Sequence, residues 1–173
     1  LTGVRKGELI ALTWSDIDFE NRVIAVTKSW SKLDGIGPTK STKNRYVPIS
    51  SELERFLKEL RSQSHLNEGQ VLEQHKDWLY GDAAKVLKDF CKKIGITLIK
   101  FHDLRATFIT QMLLKGVAVA KVMKIVGHSS IKTTMRYLRL IAEDTQGATE
   151  ELGFVLPKTE EKGNLVALFQ GTV

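Results

Sequence analysis

Six side chains of this 173-residue sequence could do chemistry, and they come in four short segments. In Thr2-Gly3-Val4-Arg5-Lys6-Gly7-Glu8-Leu9, Arg5 and Glu8 lie three apart, so on a helix they share a face and can pair. The same spacing also describes an ordinary surface salt bridge. Lys40 lies in Thr39-Lys40-Ser41-Thr42-Lys43-Asn44-Arg45-Tyr46-Val47-Pro48. A lysine at a hairpin tip can carry a proton or a positive charge into a cleft, or simply keep a turn solvated. In His102-Asp103-Leu104-Arg105, an imidazole sits beside a guanidinium, and mutual repulsion disfavours its charged form. That pairing makes sense with an anion between the two, although a capping histidine near a surface arginine would look the same. Finally, Gly127 ends one helix and Ser129 or Ser130 starts another, which leaves His128 in the corner and Tyr137 two turns on. A half-buried packing tyrosine is the alternative there.

Taken together, the set holds two arginines, two histidines, a lysine and a phenol, with no cluster of carboxylates. Metal-dependent phosphoryl transfer needs Asp or Glu to hold its cations, so no metal cofactor is expected. Arginine forks can grip the nonbridging oxygens of a phosphodiester and neutralise charge that develops in the transition state. A phenol of pKa about 10 is a weak nucleophile at neutral pH, but nearby guanidinium charge favours the phenolate.

The elements that must position these groups can be read from pattern. Arg5–Leu12 predicts a short helix, and Trp14–Asp18 a turn. Arg22–Trp30, rich in β-branched residues, predicts a strand that Gly35, Gly37 and Pro38 interrupt. Tyr46–Ile49 predicts another strand, which places Lys40–Asn44 at a hairpin tip. Beyond it the pattern is helical. Ser51 and Glu54 form a capping box ahead of Leu53, Phe56, Leu57 and Leu60. Asp82 caps a helix that Gly95 stops, Asp103–Lys115 precedes Gly116, Val119–Val126 precedes Gly127, and Ile131–Leu140 follows. In the Asp103–Lys115 helix, Leu104 and Phe108 are expected to face the core. The expected fold is mainly α with one small antiparallel β-sheet, an α+β domain, and 157–173 reads as a tail.

Composition narrows the class. Hydrophobic residues are 42% and charged residues 27%, as in an ordinary globular chain, which argues against disorder. No apolar run reaches the ~20 residues of a membrane span. A single cysteine, Cys91, excludes an internal disulfide scaffold and suggests a reducing setting. The net charge of +6 is unevenly spread. Lys28–Arg45 holds five basic residues against Asp34, Lys100–Arg139 holds eight against Asp103, and 140–173 holds six acids against two lysines. Two basic stretches and an acidic end suit a polyanion-binding face, and equally suit solvated lysines on ordinary helices.

The four segments, in this order, resemble the tyrosine recombinase family, the lambda-type phage integrases. The family's pattern is an Arg in a TG-x-R-x-x-E-L turn, a Lys in a β-hairpin, H-x-x-R, G-H, and a Tyr about nine residues later. It falls here on Arg5, Lys40, His102 with Arg105, His128 and Tyr137. Gly-His-Ser-Ser-Ile-x-Thr-Thr-x-x-Tyr and His-Asp-Leu-Arg-x-Thr-Phe carry the resemblance most specifically, and it covers roughly residues 1–140.

The resemblance implies a site-specific DNA recombinase or integrase that needs neither metal nor ATP. Tyr137 would attack a phosphodiester, leaving a 3′-phosphotyrosyl enzyme and a free 5′-hydroxyl. Arg5 and Arg105 would clamp the nonbridging oxygens and His128 would donate a further hydrogen bond. His102 would help take up the tyrosine proton or stabilise the transition state, Lys40 would protonate the departing oxygen, and Glu8 would position Arg5. Lys43, on the same hairpin, competes with Lys40 for the acid role. Lys43, Arg45, Lys132 and Arg136 are expected as further DNA contacts. Arg139 stands where the family often has a second histidine.

The implied partner is double-stranded DNA, with a homotetramer on DNA at full length, a monomer or weak associate for this chain alone, and no membrane. The implied setting is the cytoplasm of a prokaryotic or phage-host cell, at the nucleoid. A catalytic domain at 1–153 is expected to lack its first helices and an N-terminal DNA-binding domain, and 154–173 to dock in cis or on a neighbouring protomer through Leu165–Phe169. A type IB topoisomerase-like relaxing enzyme would use a similar residue set, a non-catalytic DNA-binding module would use only the basic face, and a protein-interaction domain would carry its lysines incidentally and show no salt-sensitive DNA affinity.

Overall fold

The computed structural model describes residues 1–39, 44–64, 69–72 and 82–138. Contacts divide the chain into two units, Leu1–Ala142 and Glu143–Val173, and every described residue belongs to the first. Lys40, Lys43, Arg139 and the tail expected to dock lie outside the described residues.

The chain opens with helix α1 (Lys6–Ala11) and a single 3₁₀ turn (Trp14–Asp16), followed by β1 (Ile17–Asp18), β2 (Val23–Val26), β3 (Lys28–Ser31), β4 (Gly35–Pro38) and β5 (Arg45–Pro48). Helices α2 (Ser51–Gln63), α3 (Ala83–Lys93), α4 (Phe101–Leu114), α5 (Val119–Val126) and α6 (Ile131–Leu138) complete it. The mixed architecture, helices around small antiparallel sheets, is the one expected, but the strands are divided differently. The single strand expected over Arg22–Trp30 breaks at Thr27. Its first half pairs with β1 and β5 in a three-stranded sheet of order β1-β2-β5. Its second half pairs with β4 in a separate two-stranded sheet. Gly35 and Gly37, read as interruptions, are therefore strand residues opposite Ser31 and Ser29. The hairpin tip falls at Lys32–Asp34, where the Asp34 N–H donates to Ser31 Oγ at 3.0 Å. The Lys40–Asn44 segment instead links β4 to β5, which belong to different sheets.

Strand alternation decides what enters the core. In the β2–β5 register, Ile24 lies opposite Val47 and Val26 opposite Arg45. Those four residues are buried, while Tyr46 on the other face is 66% exposed. Ile24, Val26 and Val47 join Leu12, Trp14, Ile49, Leu53 and Leu57 in one apolar cluster, which extends to Ile109 and Leu113 of α4 and to Val122, Ile125 and Val126 of α5. The capping of two helices differs from the sequence reading. The cap of α2 is Ser50, whose hydroxyl accepts from the Leu53 N–H at 3.2 Å, one residue before Ser51. Asp82 precedes α3 but gives no side-chain cap bond.

On α4 the buried stripe is Arg105, Ile109 and Leu113. Leu104, expected in the core, is 47% exposed. The inward position goes to Arg105 because main-chain carbonyls wait there to receive its guanidinium.

Candidate active site

Three guanidinium groups from three distant segments converge on the C-terminal end of α5. Arg45 Nε donates to the Ile125 carbonyl at 2.9 Å, Arg105 Nη2 to Val126 at 2.5 Å, and Arg5 Nη2 to Gly127 at 3.2 Å. A helix leaves its last carbonyls without intrahelical partners, and its dipole places partial negative charge there. Successive carbonyls splay around the axis, so three cations can approach that end from three directions.

Arg5 caps the N-terminus of α1 in an extended conformation. Its own N–H donates to Glu8 Oε2 at 2.7 Å, and its Nη1 donates to Oε1 at 2.9 Å. The expected Arg5–Glu8 pair is thus present, but Glu8 is 3% exposed rather than on the surface. Arg45 grips the same carboxylate with both ends of its fork, Nη1 to Oε1 at 2.9 Å and Nη2 to Oε2 at 2.6 Å. Burial would raise the Glu8 pKa, yet the Arg45 and Arg5 hydrogen bonds and charges outweigh it and hold the carboxyl down at about 2.

Arg105 also donates through Nη1 to the Gly3 carbonyl. Gly3 has φ +63°, and a Cβ there would fall 2.3 Å from Phe108 Cδ1, so the turn that presents this carbonyl requires glycine. Burial and the neighbouring Arg5 charge lower the Arg105 pKa to about 10, with Arg45 adding to the effect and Glu8 and Tyr137 opposing it. His102, one turn earlier on α4, is exposed. Arg5, Glu8, His102 and Arg105 line one cleft of about 530 Å³, with Ser29–Lys32 of the β3–β4 hairpin as a further wall.

Gly127, at φ +71°, closes α5, and the next N–H, of His128, turns back to the Met123 carbonyl at 3.0 Å. His128 Nδ1 lies 2.8 Å from the hydroxyl of the fully buried Thr134 on α6. Its ring stacks on Tyr137, with centroids 6.2 Å apart and planes 15° from parallel. Burial, then the charges of Arg105, Arg5, Arg45 and His102, push the His128 pKa down to about 4. A pocket of this kind holds an excess of positive charge, and a bound oxyanion would relieve the repulsion.

The structure therefore brings Arg5, Glu8, His102 and Arg105 to one cleft, and stacks His128 on Tyr137 beside the helix end that anchors the arginines. Lys132 and Arg136 are exposed one turn apart on α6. The expectation for Arg45 does not hold. It is 6% exposed and bonded through all three guanidinium nitrogens, because strand alternation turns it inward with Val47. Sequence reasoning also missed Thr134, the Gly3 carbonyl and the cleft-lining Lys32. Lys32 had a signal in its place in the first basic stretch, and Thr134 and Gly3 stand inside the quoted motifs, which do not reveal what either group bonds. Among the described residues no group of three or more His, Cys, Asp or Glu could hold a metal ion.

The fold is that of a tyrosine recombinase catalytic domain. Solved structures share it: the Tn1549 transposon integrase in complex with a circular intermediate DNA (26% identity, TM-score 0.67, covering 88% of this chain and 55% of that one) and a XerA recombinase (27%, 0.62, 87% and 52%). The bacteriophage HP1 integrase catalytic domain is a third (28%, 0.59, 86% and 74%). The chain belongs to the phage integrase family, whose model matches residues 1–143. Its relatives include the XerC-like tyrosine recombinase of Caldanaerobacter subterraneus subsp. tengcongensis, 34% identical over 87% of this chain and 46% of that protein. The ICEBs1 integrase of Bacillus subtilis is 34% identical over 78% and 41%. The chain spans about half the length of the curated relatives it matches.

Proposed function

We propose that this chain carries the chemistry of a site-specific DNA recombinase or integrase, in which Tyr137 exchanges one phosphodiester for a 3′-phosphotyrosyl bond and frees a 5′-hydroxyl. The observation that carries the reading is the placement of Arg5 and Arg105 in one cleft, on adjacent carbonyls of the same helix end, next to the His128–Tyr137 stack. Arg5 and Arg105 hold the nonbridging oxygens, and Glu8 fixes Arg5. His128, neutral at pH 7, donates a hydrogen bond from the ring nitrogen that does not face Thr134. His102 at the cleft wall helps take the tyrosine proton or stabilises the transition state, and Lys40 returns a proton to the leaving oxygen, with Lys43 as its competitor. One phosphoester replaces another of similar energy, so the step reverses.

Duplex DNA is the substrate, by analogy with the Tn1549 integrase, whose structure contains a circular intermediate DNA. Lys132 and Arg136, exposed on α6, supply backbone contacts. At full length the protein assembles as a tetramer on DNA, in the cytoplasm of a prokaryotic or phage-host cell. Among the described residues no helix is long and apolar enough to cross a membrane.

The test is incubation with a suicide duplex, nicked near candidate sites, followed by denaturing electrophoresis and peptide mapping of the covalent species. An adduct at Tyr137 is expected. Tyr137→Phe should bind the duplex and form no adduct. An adduct that persists in Tyr137→Phe, or maps elsewhere, overturns the assignment. Exchange between two duplexes separates a recombinase from a relaxing enzyme that reseals the same strand.

A further inference from the structure

Arg45 is the one guanidinium of the three that does not line the cleft. Its fork covers both oxygens of Glu8, the carboxylate that also receives the N–H and Nη1 of Arg5. Its Nε holds the Ile125 carbonyl, two residues before Gly127. Gly127 in turn lies against its side chain: a Cβ there would be 3.0 Å from Arg45 Cδ and 3.2 Å from Nε. Arg45 thus touches both the partner of Arg5 and the corner that presents His128, and it contacts them from the interior.

We propose that Arg45 is a positioning residue for the strand-cleavage reaction: through Glu8 it fixes Arg5, and through Ile125 and Gly127 it fixes the His128 corner, without touching DNA. The assignment rests on the recombinase reading above.

Geometry explains why an arginine is needed. A planar fork can hold both carboxylate oxygens and still aim Nε at a carbonyl in a third direction, whereas a lysine ammonium carries its three donors on one nitrogen and cannot span the same acceptors in that planar arrangement. Charge alone is not the requirement, so Arg45→Lys keeps the charge and loses the arrangement. Displacing a phosphate-binding group by about 1 Å costs roughly 100-fold in rate.

The test compares the wild type with Arg45→Lys and Arg45→Met, each checked for folding by circular dichroism and urea unfolding, using the suicide duplex at saturating protein. Positioning predicts that Arg45→Lys loses about 10- to 100-fold in the single-turnover rate of Tyr137 adduct formation, with the salt dependence of duplex binding unchanged. A wild-type saturating rate with weaker, less salt-dependent affinity would make Arg45 a DNA contact and overturn the proposal. Lower stability with wild-type rate and affinity would make it a merely structural residue, and would also overturn it. Should Arg45→Met not fold, Arg45→Lys carries the comparison alone.

A second readout needs no cleavage. Inorganic phosphate titrated against the His102 and His128 ring resonances should bind more weakly in Arg45→Lys than in the wild type, and equal binding in the folded variant contradicts positioning. A wild type that forms no adduct sinks the recombinase reading, and the phosphate titration still decides the role of Arg45.

Discussion

Arg5 and Arg105, far apart in the sequence, donate to neighbouring carbonyls, those of Gly127 and Val126. Like charges do not gather unaided. The convergence is made possible by a helix end rich in unpaired acceptors and by one buried carboxylate, Glu8, that neutralises part of the charge. What remains is an electropositive cleft with a neutral imidazole and a phenol beside it.

Gly127 joins this anchoring point to His128, and it sits in the left-handed region. Gly127→Ala should cost about 1–3 kcal/mol from backbone strain alone, with more from contact with Arg45. Urea unfolding measures the loss, and adduct formation at saturating duplex should fall with it. A variant as stable and as fast as wild type would show that the corner tolerates side chains.

Acid should destabilise the fold in two stages. The His128 pKa is about 4 in the folded chain against 6.5 for the free residue, so between those values the unfolded chain binds the extra proton. Stability from this group is full above pH 6.5 and is lost as pH falls towards 4. Glu8, lowered from 4.5 to about 2, adds a further loss below pH 4.5. Urea midpoints across this range should decline in wild type, and His128→Gln should flatten the upper stage. Equal slopes in the two proteins would remove His128 as its source.

Thr134 buries a hydroxyl that bonds to His128 Nδ1. Thr134→Val keeps the shape and removes the bond, which should cost about 1–2 kcal/mol in stability and slow adduct formation. Thr134→Ser should restore both. If valine matches threonine in the cleavage assay, the hydroxyl plays no part in orienting the imidazole.

Lys132 and Arg136 should behave as phosphate contacts. Each alanine variant is expected to weaken duplex binding regardless of sequence, and to reduce the slope of log affinity against log salt by about 0.9. Binding titrations at several salt concentrations provide the slope, and an unchanged slope would place that residue off the DNA.

Much of this arrangement is legible in the sequence. Helices α4 and α5 follow from apolar periodicity and terminal glycines, and the resemblance marks Arg5, His102, Arg105, His128 and Tyr137. The reading went astray where a polar side chain occupies a core position. Apolar patterning sends Leu104 inward and Arg45 outward, and both are reversed, because partner carbonyls and a carboxylate are supplied from remote segments. A single strand's pattern does not reveal those partners. Nor does the β-branched run from Val23 show that Thr27 divides it between two sheets.

The shared helix end also makes the cations interdependent. Carbonyls advance about 100° per residue around a helix, so inserting one residue within α5 would swing the acceptors of Arg5, Arg45 and Arg105 together. Length changes can accumulate in the connections ahead of α5, but its last turn tolerates no slippage of phase.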